Sequence, residues 1–260
     1  MIPKIIHYCW FGRGQMPELA IKCIESWNKY LPDYELYLWN EDNFDINSIP
    51  YVKEAYESRK FAFVTDYVRL YALYNIGGIY MDTDVEVLKS LDDLLDLPAF
   101  SGFETQTDIP TGLMASEKHG KWALEMLDYY TDRHFIKPDG SLDMTSNVLI
   151  IGSLMAQNGF ILKNGHQDYK GYMHMFPKDY FCPKERSGLL KITENTYCIH
   201  HFAGSWVNKS KAQKVKIFIT KKILGPKMTD RGIKLKQFIL SSLGIKRKKG
   251  TLKFLDKDNA

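Results

Sequence analysis

The sequence predicts an α/β fold with a mostly parallel central sheet and helices on its faces. Up to residue 84, the hydrophobic patterns run in the order strand, helix, strand, helix, helix, strand. Strands that alternate with helices in this way pair in parallel. Two of these strands end at side chains suited to binding, Trp10 and Asp82. Ligands of such sheets bind at the carboxyl ends of the strands, so we expect both residues at one shared site.

Each element is predicted from the spacing of its apolar residues. The helix over 61–76 is apolar on most sides and ends at Gly77-Gly78, because glycine readily stops a helix. Residues 163–167 are predicted to form a polar turn. The other predicted helices cover 17–30, 52–58, 119–130 and 146–157, the last of them broken by Gly152. The predicted strands cover 2–10, 34–39, the residues before Asp82, 85–88, 99–103, 111–115, 172–176 and 197–201.

An Asp-x-Asp pair, Asp82 and Asp84, follows the apolar strand that begins at Gly78. The apolar run ends at Asp82, so we expect Asp84 to lie just past the strand, where the chain can turn. Hard cations such as Mn²⁺ or Mg²⁺ prefer oxygen ligands and keep positions open for water and phosphate oxygens. The pair therefore predicts a divalent cation that also holds a diphosphate, with one Asp binding directly and the other through water or to the sugar.

Two charges, Asp66 and Arg69, interrupt the apolar helix before this strand. A spacing of three places them on one helical face, where they can touch. One interpretation is a buried ion pair that fixes packing. The other is a polar face directed at a nucleotide, with Asp66 accepting from ribose hydroxyls and Arg69 steadying the pair or a phosphate. We favour the second, because the helix leads directly into the Asp82 strand.

The block from Phe63 to Asp84 resembles the sugar-binding DXD region of glycosyltransferase family 32. That family includes Och1-like mannosyltransferases and many bacterial capsule or exopolysaccharide transferases. The block is more distantly similar to the catalytic domain of the large clostridial glucosylating toxins. The opening segment 2–12 is similar to the family's first strand, and the segment 200–206 resembles its closing His…Ser-Trp motif. The match loosens over residues 104–160.

The resemblance implies a GT-A fold, retaining transfer from a nucleotide sugar and a divalent metal, Mn²⁺ or Mg²⁺. It also implies a role for each matching residue. Trp10 would lie against the base, and Asp66 and Arg69 would contact the ribose and donor sugar. Asp82 and Asp84 would hold the metal and diphosphate, with His201 or His200 near the metal and His201 the first choice. Ser205 and Trp206 would close over the diphosphate.

The bulk composition fits one α/β domain with a small appendage: 260 residues, of which 45% are hydrophobic and 25% charged. The four cysteines have no metal-ligand spacing. No signal peptide opens the sequence, and no apolar run approaches the ~20 residues that span a bilayer. These features predict a cytoplasmic protein with free thiols.

Positive charge is concentrated near the carboxyl terminus. Between Lys209 and Phe254 there are fifteen Lys or Arg and one acid, Asp230, mixed with Ile, Leu and Phe. This division predicts a catalytic domain at 1–208 and a basic amphipathic helical segment at 209–260. Such segments lie on anionic membrane surfaces. A solvated helical cap is the plainer alternative, and nucleic acid is a third that no accompanying motif supports.

We therefore expect a metal-dependent retaining glycosyltransferase in surface polysaccharide assembly, peripheral at the inner face of the plasma membrane. The expected donor is UDP-galactose or UDP-glucose, and the expected acceptor is a glycan, lipid-linked or free. Alternatives are a GDP-mannose-dependent mannosyltransferase, a toxin-like protein glycosyltransferase and a non-catalytic lectin-like module. A glycoside hydrolase would need a carboxylate pair at defined separation. The sequence fixes none among Glu104, Asp108 and Asp143, and it identifies no nucleophile.

Overall fold

The computed structural model of the chain describes residues 1–109, 112–185, 187–204 and 225–242. The described strands are β1 Ile5–Cys9, β2 Glu35–Trp39, β3 Gly78–Met81, β4 Val85–Val87, β5 Ala99–Gly102, β6 Leu113–Ser116, β7 Gln167–Tyr169, β8 Met173–Phe176 and β9 Cys198–His200. The described α-helices are α1 Glu18–Tyr30, α2 Pro50–Glu57, α3 Phe61–Asn75, α4 Lys121–Leu127, α5 Asn147–Gln157, α6 Lys178–Phe181 and α7 Gly225–Ser242. Short 3₁₀ helices cover Asp92–Leu94 and Asp128–Tyr130.

The main sheet of the described chain has seven strands in the order β2-β1-β3-β6-β5-β8-β7. Strand β1 pairs in parallel with β2 and β3, and β5 pairs in parallel with β8. Strand β6 is antiparallel to β3 and β5, and β7 is antiparallel to β8. Five of these strands therefore point the same way, and only β6 and β7 run against them. This confirms the predicted mixed α/β fold with a mostly parallel sheet.

Helices cover both faces of the sheet, because successive strand residues alternate between two apolar clusters. In β3, Tyr80 packs into the cluster that holds α2, α3, α4 and α5. Its neighbours Ile79 and Met81 pack into the second cluster, with Trp27 of α1 and Phe181 of α6. All four β3 residues are buried, so the strand that precedes the Asp-x-Asp pair is enclosed on both sides.

The turn from α3 into β3 depends on two glycines. Gly77 has φ +78° and Gly78 has φ +119°, a backbone region that favours glycine. A Cβ on Gly78 would lie only 2.6 Å from the carbonyl oxygen of Ile5 in β1. The predicted helix stop at this point thus also lets β3 approach β1 closely.

Three predicted elements differ in the structure. Helix α5 continues unbroken through Gly152, where a break was predicted. The polar turn predicted at 163–167 leads directly into a short edge strand, β7, which sequence analysis missed because only Tyr169 of its three residues is buried. The helix predicted over 119–130 is divided into α4 and the 3₁₀ helix Asp128–Tyr130. Polar edge strands lack the apolar alternation on which strand prediction rests.

Contacts divide the chain into two units, the first Met1–Pro183 with Ile192–Trp206 and the second Lys184–Lys191 with Val207–Ala260. In the second unit, Lys184 and Leu190 form an antiparallel bridge, and Ser187 Oγ lies 3.4 Å from Asp230 Oδ1 of α7. Residues 205–224 lie outside the described residues, so the domain boundary at 208 stays a prediction. None of the helices that the structure describes combines the length and hydropathy needed to span a bilayer.

Candidate active site

The Asp-x-Asp pair occupies the turn that follows β3. Tyr80 and Asp82 alternate onto the same side, and the Tyr80 hydroxyl donates to Asp82 Oδ1 at 2.7 Å. The Asp82 backbone N–H donates to the Gly112 carbonyl at 2.8 Å, which continues the pairing of β3 with the β6 segment. The Val85 N–H then donates to the Asp82 carbonyl at 3.0 Å. This bond closes a turn that contains Asp84.

A histidine joins the two aspartates. Ligand atoms of Asp82, Asp84 and His200 lie within 4.8 Å of one another. Strand β9 pairs with β4 so that His200 is opposite Val85, the residue after Asp84. His200 Nε2 consequently lies 3.3 Å from Asp84 Oδ1. The pairing of two short strands distant in sequence therefore builds this cluster.

The predicted metal ligand His201 points elsewhere. Its Nε2 atom lies 2.7 Å from Glu86 Oε2, and its backbone N–H donates to the Asp84 carbonyl at 2.9 Å. Neighbouring residues of a strand face opposite sides, so only one of the two histidines can face Asp84. The structure places His200 in the cluster that the sequence analysis had assigned first to His201.

The cluster is electrostatically asymmetric. Burial by itself raises the pKa of Asp84, but the His200 side chain and the Ala203 N–H, which donates at 2.7 Å, lower that pKa below its ordinary value. Burial lowers the pKa of His200, but the Asp84 carboxylate and the Cys182 side chain together raise it more, so it lies well above 6.5. In this arrangement a proton on His200 compensates the charge of Asp84.

The residues present fit a divalent cation. Two carboxylates and one imidazole offer two hard oxygen ligands and one nitrogen, the donor types that Mn²⁺ and related ions accept. Three protein ligands leave positions for water and for phosphate oxygens. All three side chains are partly accessible, with exposed fractions of 26%, 16% and 13% for Asp82, Asp84 and His200. A cation could therefore enter from solvent and still contact a bound substrate.

The predicted Asp66–Arg69 contact is present and extends to the Asp-x-Asp pair. Arg69 Nη2 lies 3.1 Å from Asp66 Oδ1 and 3.4 Å from Asp82 Oδ1. The guanidinium carbon lies 4.6 Å from the centre of the Tyr80 ring. Arg69 is only 5% exposed. One buried cation thus links the helix carboxylate to the carboxylate at the strand end.

Asp66 is held in an unfavourable environment for a carboxylate. Burial raises the pKa of Asp66 to about 7, although the Arg69 charge acts in the opposite direction. The value of about 7 also includes an increase caused by Asp82 and a decrease caused by the side chain and backbone of Asn147. The carboxyl is therefore poised to exchange its proton near neutral pH. Buried groups with such shifts are candidates for functional sites.

Asn147, which sequence analysis did not single out, adjoins Asp66 at the first turn of α5. It is 3% exposed, and neither its Nδ2 nor its Oδ1 makes a well-formed hydrogen bond among the described residues. The Asn147 side chain therefore lowers the pKa of Asp66 through a close polar contact of poor hydrogen-bond geometry. Buried polar atoms are normally satisfied, so an unsatisfied amide beside a candidate site points to a ligand or a water. No periodic signal marks such a residue in the sequence.

The sequence was sufficient to predict Tyr80 beside Asp82, but it predicted His200 only as one of two candidate histidines. Tyr80 lies two positions before Asp82, and alternation along the strand already places both on one side. The adjacent pair His200-His201 was recognised, but choosing between them requires the register of β9 against β4.

The loop after β1 has a defined conformation around Trp10. The Trp10 indole N–H donates to the Gly14 carbonyl at 2.6 Å, and the Gly12 N–H donates to Glu41 Oε1 at 2.6 Å. Gly12 has φ +92°, and a Cβ there would lie 2.3 Å from the Phe61 ring. These contacts tie the loop to the residues after β2 and to the start of α3. The other two predicted nucleotide contacts, Ser205 and Trp206, lie outside the described residues.

An acidic pair at the end of β3, joined by a histidine and a buried arginine, offers a site for a divalent cation at the edge of the sheet. The comparison with protein families bears on the same pair. Residues 17–101 of the 260-residue chain match the glycosyltransferase sugar-binding region containing a DXD motif. This match bears out the family resemblance that the motifs predicted.

Curated relatives include sphingolipid mannosyltransferases. The chain is 32% identical over 130 residues to inositol phosphoceramide mannosyltransferase 3 of Schizosaccharomyces pombe, covering 48% of this chain and 36% of the relative. It is 29% identical over 131 residues to the mannosyl phosphorylinositol ceramide synthase CSH1 of Saccharomyces cerevisiae, covering 49% and 35%. With inositol phosphoceramide mannosyltransferase 2 of S. pombe the identity is 24%, covering 80% and 59%. The chain spans about a third to three fifths of the length of these relatives.

Similar solved structures include the PaToxG glycosyltransferase, with a TM-score of 0.45 and 17% identity over 61% of this chain and 70% of that one. The apo form of the glycosyltransferase GlyE of Streptococcus pneumoniae TIGR4 has a TM-score of 0.46 and 11% identity, covering 93% of this chain and 64% of that one.

Proposed function

We propose that the protein is a retaining, divalent-metal-dependent glycosyltransferase that moves a hexose from a nucleoside-diphosphate sugar to a glycan or lipid-linked acceptor. The observation that carries this proposal is the cluster of Asp82, Asp84 and His200 at the end of β3. Arg69 connects this cluster to a buried carboxylate, Asp66. A strand-end cation site beside a buried polar face is what transfer from a diphosphate sugar requires.

Asp82, Asp84 and His200 would hold the cation, and Mn²⁺ is the ion we expect. The chemistry that a bound cation would supply here is neutralisation of the charge on a departing diphosphate. The arrangement gives Arg69 a second task, since its charge offsets the two nearby carboxylates and keeps Asp82 oriented. Tyr80 donates to the same Asp82 oxygen and restrains it further.

On the donor side, Asp66 would accept hydrogen bonds from hydroxyl groups of the nucleotide sugar. Asn147 offers one donor group and one acceptor beside it, which suits a sugar hydroxyl that both donates and accepts. Trp10 would lie against the base, and Ser205 and Trp206 would close over the diphosphate. We assign no nucleophile in the protein. The acceptor hydroxyl forms its bond to the anomeric carbon on the face from which the diphosphate leaves, and its proton passes to the departing phosphate oxygen. Catalysis rests on positioning and electrostatic stabilisation.

Mannose from GDP-mannose is the donor that we propose first. Sequence analysis favoured UDP-galactose or UDP-glucose, with GDP-mannose as the alternative. Several curated relatives are named as mannosyltransferases, which supports the alternative over the UDP-hexose interpretation. The acceptors in those names are inositol phosphoceramides, so a lipid-borne acceptor alcohol is the acceptor class that we expect.

We also propose that the protein works at the inner face of the plasma membrane in the assembly of cell-surface glycans such as capsule. A lipid-linked acceptor requires contact with the bilayer. The fifteen cations between Lys209 and Phe254 provide an electrostatic attraction to anionic lipids.

The direct test is hydrolysis and transfer with GDP-mannose, UDP-glucose and UDP-galactose, each with Mn²⁺ and with a chelator. We expect release of the nucleoside diphosphate only with metal, fastest from GDP-mannose, and retention of the anomeric configuration by NMR. Equal rates with the chelator would contradict the metal-dependent mechanism. Release from none of the three sugars, with or without a lipid-linked acceptor, would contradict the proposed function.

Asp82→Asn and Asp84→Asn provide the matched variants. Each keeps the size of the side chain and removes the charge that holds the cation. We expect either change to lower metal-dependent turnover by about 100-fold or more, as expected for loss of a strong electrostatic contact in the transition state. Asp168→Asn, an exposed β7 residue outside the cluster, serves as the control and should retain full turnover.

A further inference from the structure

Helix α7 presents an exposed stripe of two apolar side chains and one cation. Met228 and Leu235 are each 60% exposed, and Arg231 between them is exposed as well. A spacing of three and then four residues places all three on one side of a helix. Large apolar side chains at this exposure leave substantial apolar surface in water.

The other side of the helix is occupied within the second unit. Thr229, Asp230 and Ile233 are half-buried. Ser187 Oγ of the segment Lys184–Lys191 lies 3.4 Å from Asp230 Oδ1. The three residues share a side roughly opposite the exposed stripe, so the contact with Ser187 leaves the Met228–Leu235 stripe facing outward.

The charges divide in the same way. Asp230 is the one acid between Lys209 and Phe254, and it lies on the inner side. The exposed side chains described on α7 include Lys227 and Arg231 and carry no negative charge. An outward surface with apolar groups and cations, from which the one acid is turned away, is complementary to an anionic and partly apolar partner.

We propose that the exposed stripe of α7 docks on an anionic lipid bilayer, with Met228 and Leu235 inserted at the boundary of headgroups and acyl chains. Arg231 and Lys227 would then lie among the lipid phosphates. Nucleic acid would attract the cations but would give the apolar pair no favourable contact. A second copy of the chain would bury the apolar pair but would bring like charges together, which is unfavourable. Of these three partners, a bilayer surface alone both attracts the cations and buries the apolar pair.

The test is co-sedimentation of the full chain with vesicles of equal parts phosphatidylglycerol and phosphatidylcholine, without donor or metal. We expect Met228→Glu/Leu235→Glu to bind about tenfold or more weakly than the unchanged protein, because it exchanges two inserted side chains for anions. The matched control is Ile21→Glu, since Ile21 of α1 is also well exposed, at 49%. This control should bind as the unchanged protein does. Met228→Gln/Leu235→Gln is the milder variant if the charged one fails to fold.

Three outcomes would overturn the proposal. The first is unchanged binding by both folded double variants, or binding weakened equally by Ile21→Glu. The second is equal binding to vesicles of phosphatidylcholine alone, which would remove the role of the cations. The third is a dimer in analytical ultracentrifugation that dissociates in the double variant, which would assign the stripe to a second copy. The inference rests on the proposed location of the protein at a membrane surface. Because the assay needs no turnover, its result is independent of the transferase reaction.

Discussion

At the scale of single residues, the candidate site contains two buried polar groups that lower the stability of the fold, one carboxylate and one amide. Asp66 is a buried carboxylate beside one arginine, and Asn147 is a buried amide without a well-formed hydrogen bond. Both features are unfavourable for folding. Their concentration around Asp66 supports the proposal that a polar substrate, rather than the protein, completes this region.

Replacing Asp66 with Asn should change how stability depends on pH. The pKa of Asp66 is about 7 in the folded chain and ~3.9 when unfolded. At pH values between these two pKa values, the native state binds more protons at Asp66 than the unfolded state does. The contribution of this carboxyl to the free energy of unfolding therefore falls as pH rises from about 4 to about 7. Asp66→Asn does not titrate. We therefore expect its Tm, relative to the unchanged protein, to rise between pH 5 and pH 8 in thermal melts.

A constant difference in Tm across that range would contradict the raised pKa of Asp66. The same variant should lose donor turnover at every pH, because an amide cannot replace a carboxylate that accepts from two hydroxyl groups. Asn47→Ala, an exposed loop change that removes no ionisable group, is the control and should show no trend in relative Tm.

Replacing Asn147 with Ala should separate function from stability. The amide loses no well-formed protein hydrogen bond, so we expect Tm to fall by only a few degrees, from the small cavity. Donor kcat/KM should fall roughly tenfold, the size expected for one or two hydrogen bonds to a sugar. Steady-state hydrolysis with GDP-mannose is the measurement. Asn158→Ala, at the opposite end of α5, should leave kcat/KM unchanged, and an unchanged value for Asn147→Ala would remove this residue from the site.

At the scale of elements, the short β4–β9 ladder decides which histidine faces the aspartates. Its register pairs Val85 with His200, and alternation turns His201 toward Glu86. The adjacent histidines therefore form a natural pair of test and control. They differ in the direction they face and share their chemistry.

We expect His200→Ala to weaken Mn²⁺ binding by about 10-fold or more, since it removes one of three protein ligands, whereas His201→Ala should change it less than about twofold. Isothermal titration calorimetry with Mn²⁺ in the absence of donor measures both. If His201→Ala weakened Mn²⁺ binding more than His200→Ala did, His201 would be the metal ligand, and the register of β9 against β4 would be wrong.

Metal binding at this site should release protons. Burial lowers the pKa of His200, but Asp84 and Cys182 together raise it well above 6.5, so the folded protein favours the protonated imidazole near neutral pH. A cation needs the neutral imidazole, so about one proton should leave per ion, and affinity should increase with pH. Calorimetry in buffers of different ionisation enthalpy counts the protons. Release that persists in His200→Ala would assign the proton to another group.

At the scale of the whole molecule, the cation and the diphosphate are expected to stabilise the chain together. Residues of the site come from α3, the turn after β3, β9 and α5, which are distant in sequence. A ligand that joins them binds only the folded chain and raises its stability by mass action. The relevant measurement is therefore global unfolding with both ligands present.

Mn²⁺ with GDP should raise Tm by more than the sum of the rises with each alone. At about 100 times the dissociation constant the gain is ~2.7 kcal/mol, or roughly 5–10 °C for a domain of this size. Differential scanning fluorimetry is sufficient. The Asp84→Asn variant should show no such excess, and purely additive shifts in the unchanged protein would argue against a shared metal–diphosphate site.

The sequence alone determined the fold class, the resemblance to a glycosyltransferase family and the local contacts of the candidate site. Apolar periodicity located β1, β2, α3 and β3, and the strand-end positions of Trp10 and Asp82 followed from their order. The spacing of Asp66 and Arg69 was enough to predict their contact. These inferences succeed because they depend on local spacing along one helix or one strand.

Only the tertiary structure decided which distant residues complete the site. His200 reaches Asp84 through the register of β9 against β4, and Asn147 reaches Asp66 because α5 begins beside α3. The polar edge strand β7 and the outward stripe of α7 were likewise undetermined by local pattern. Long-range pairing and burial are cooperative properties of the packed chain, and the spacing of residues within one segment does not encode them.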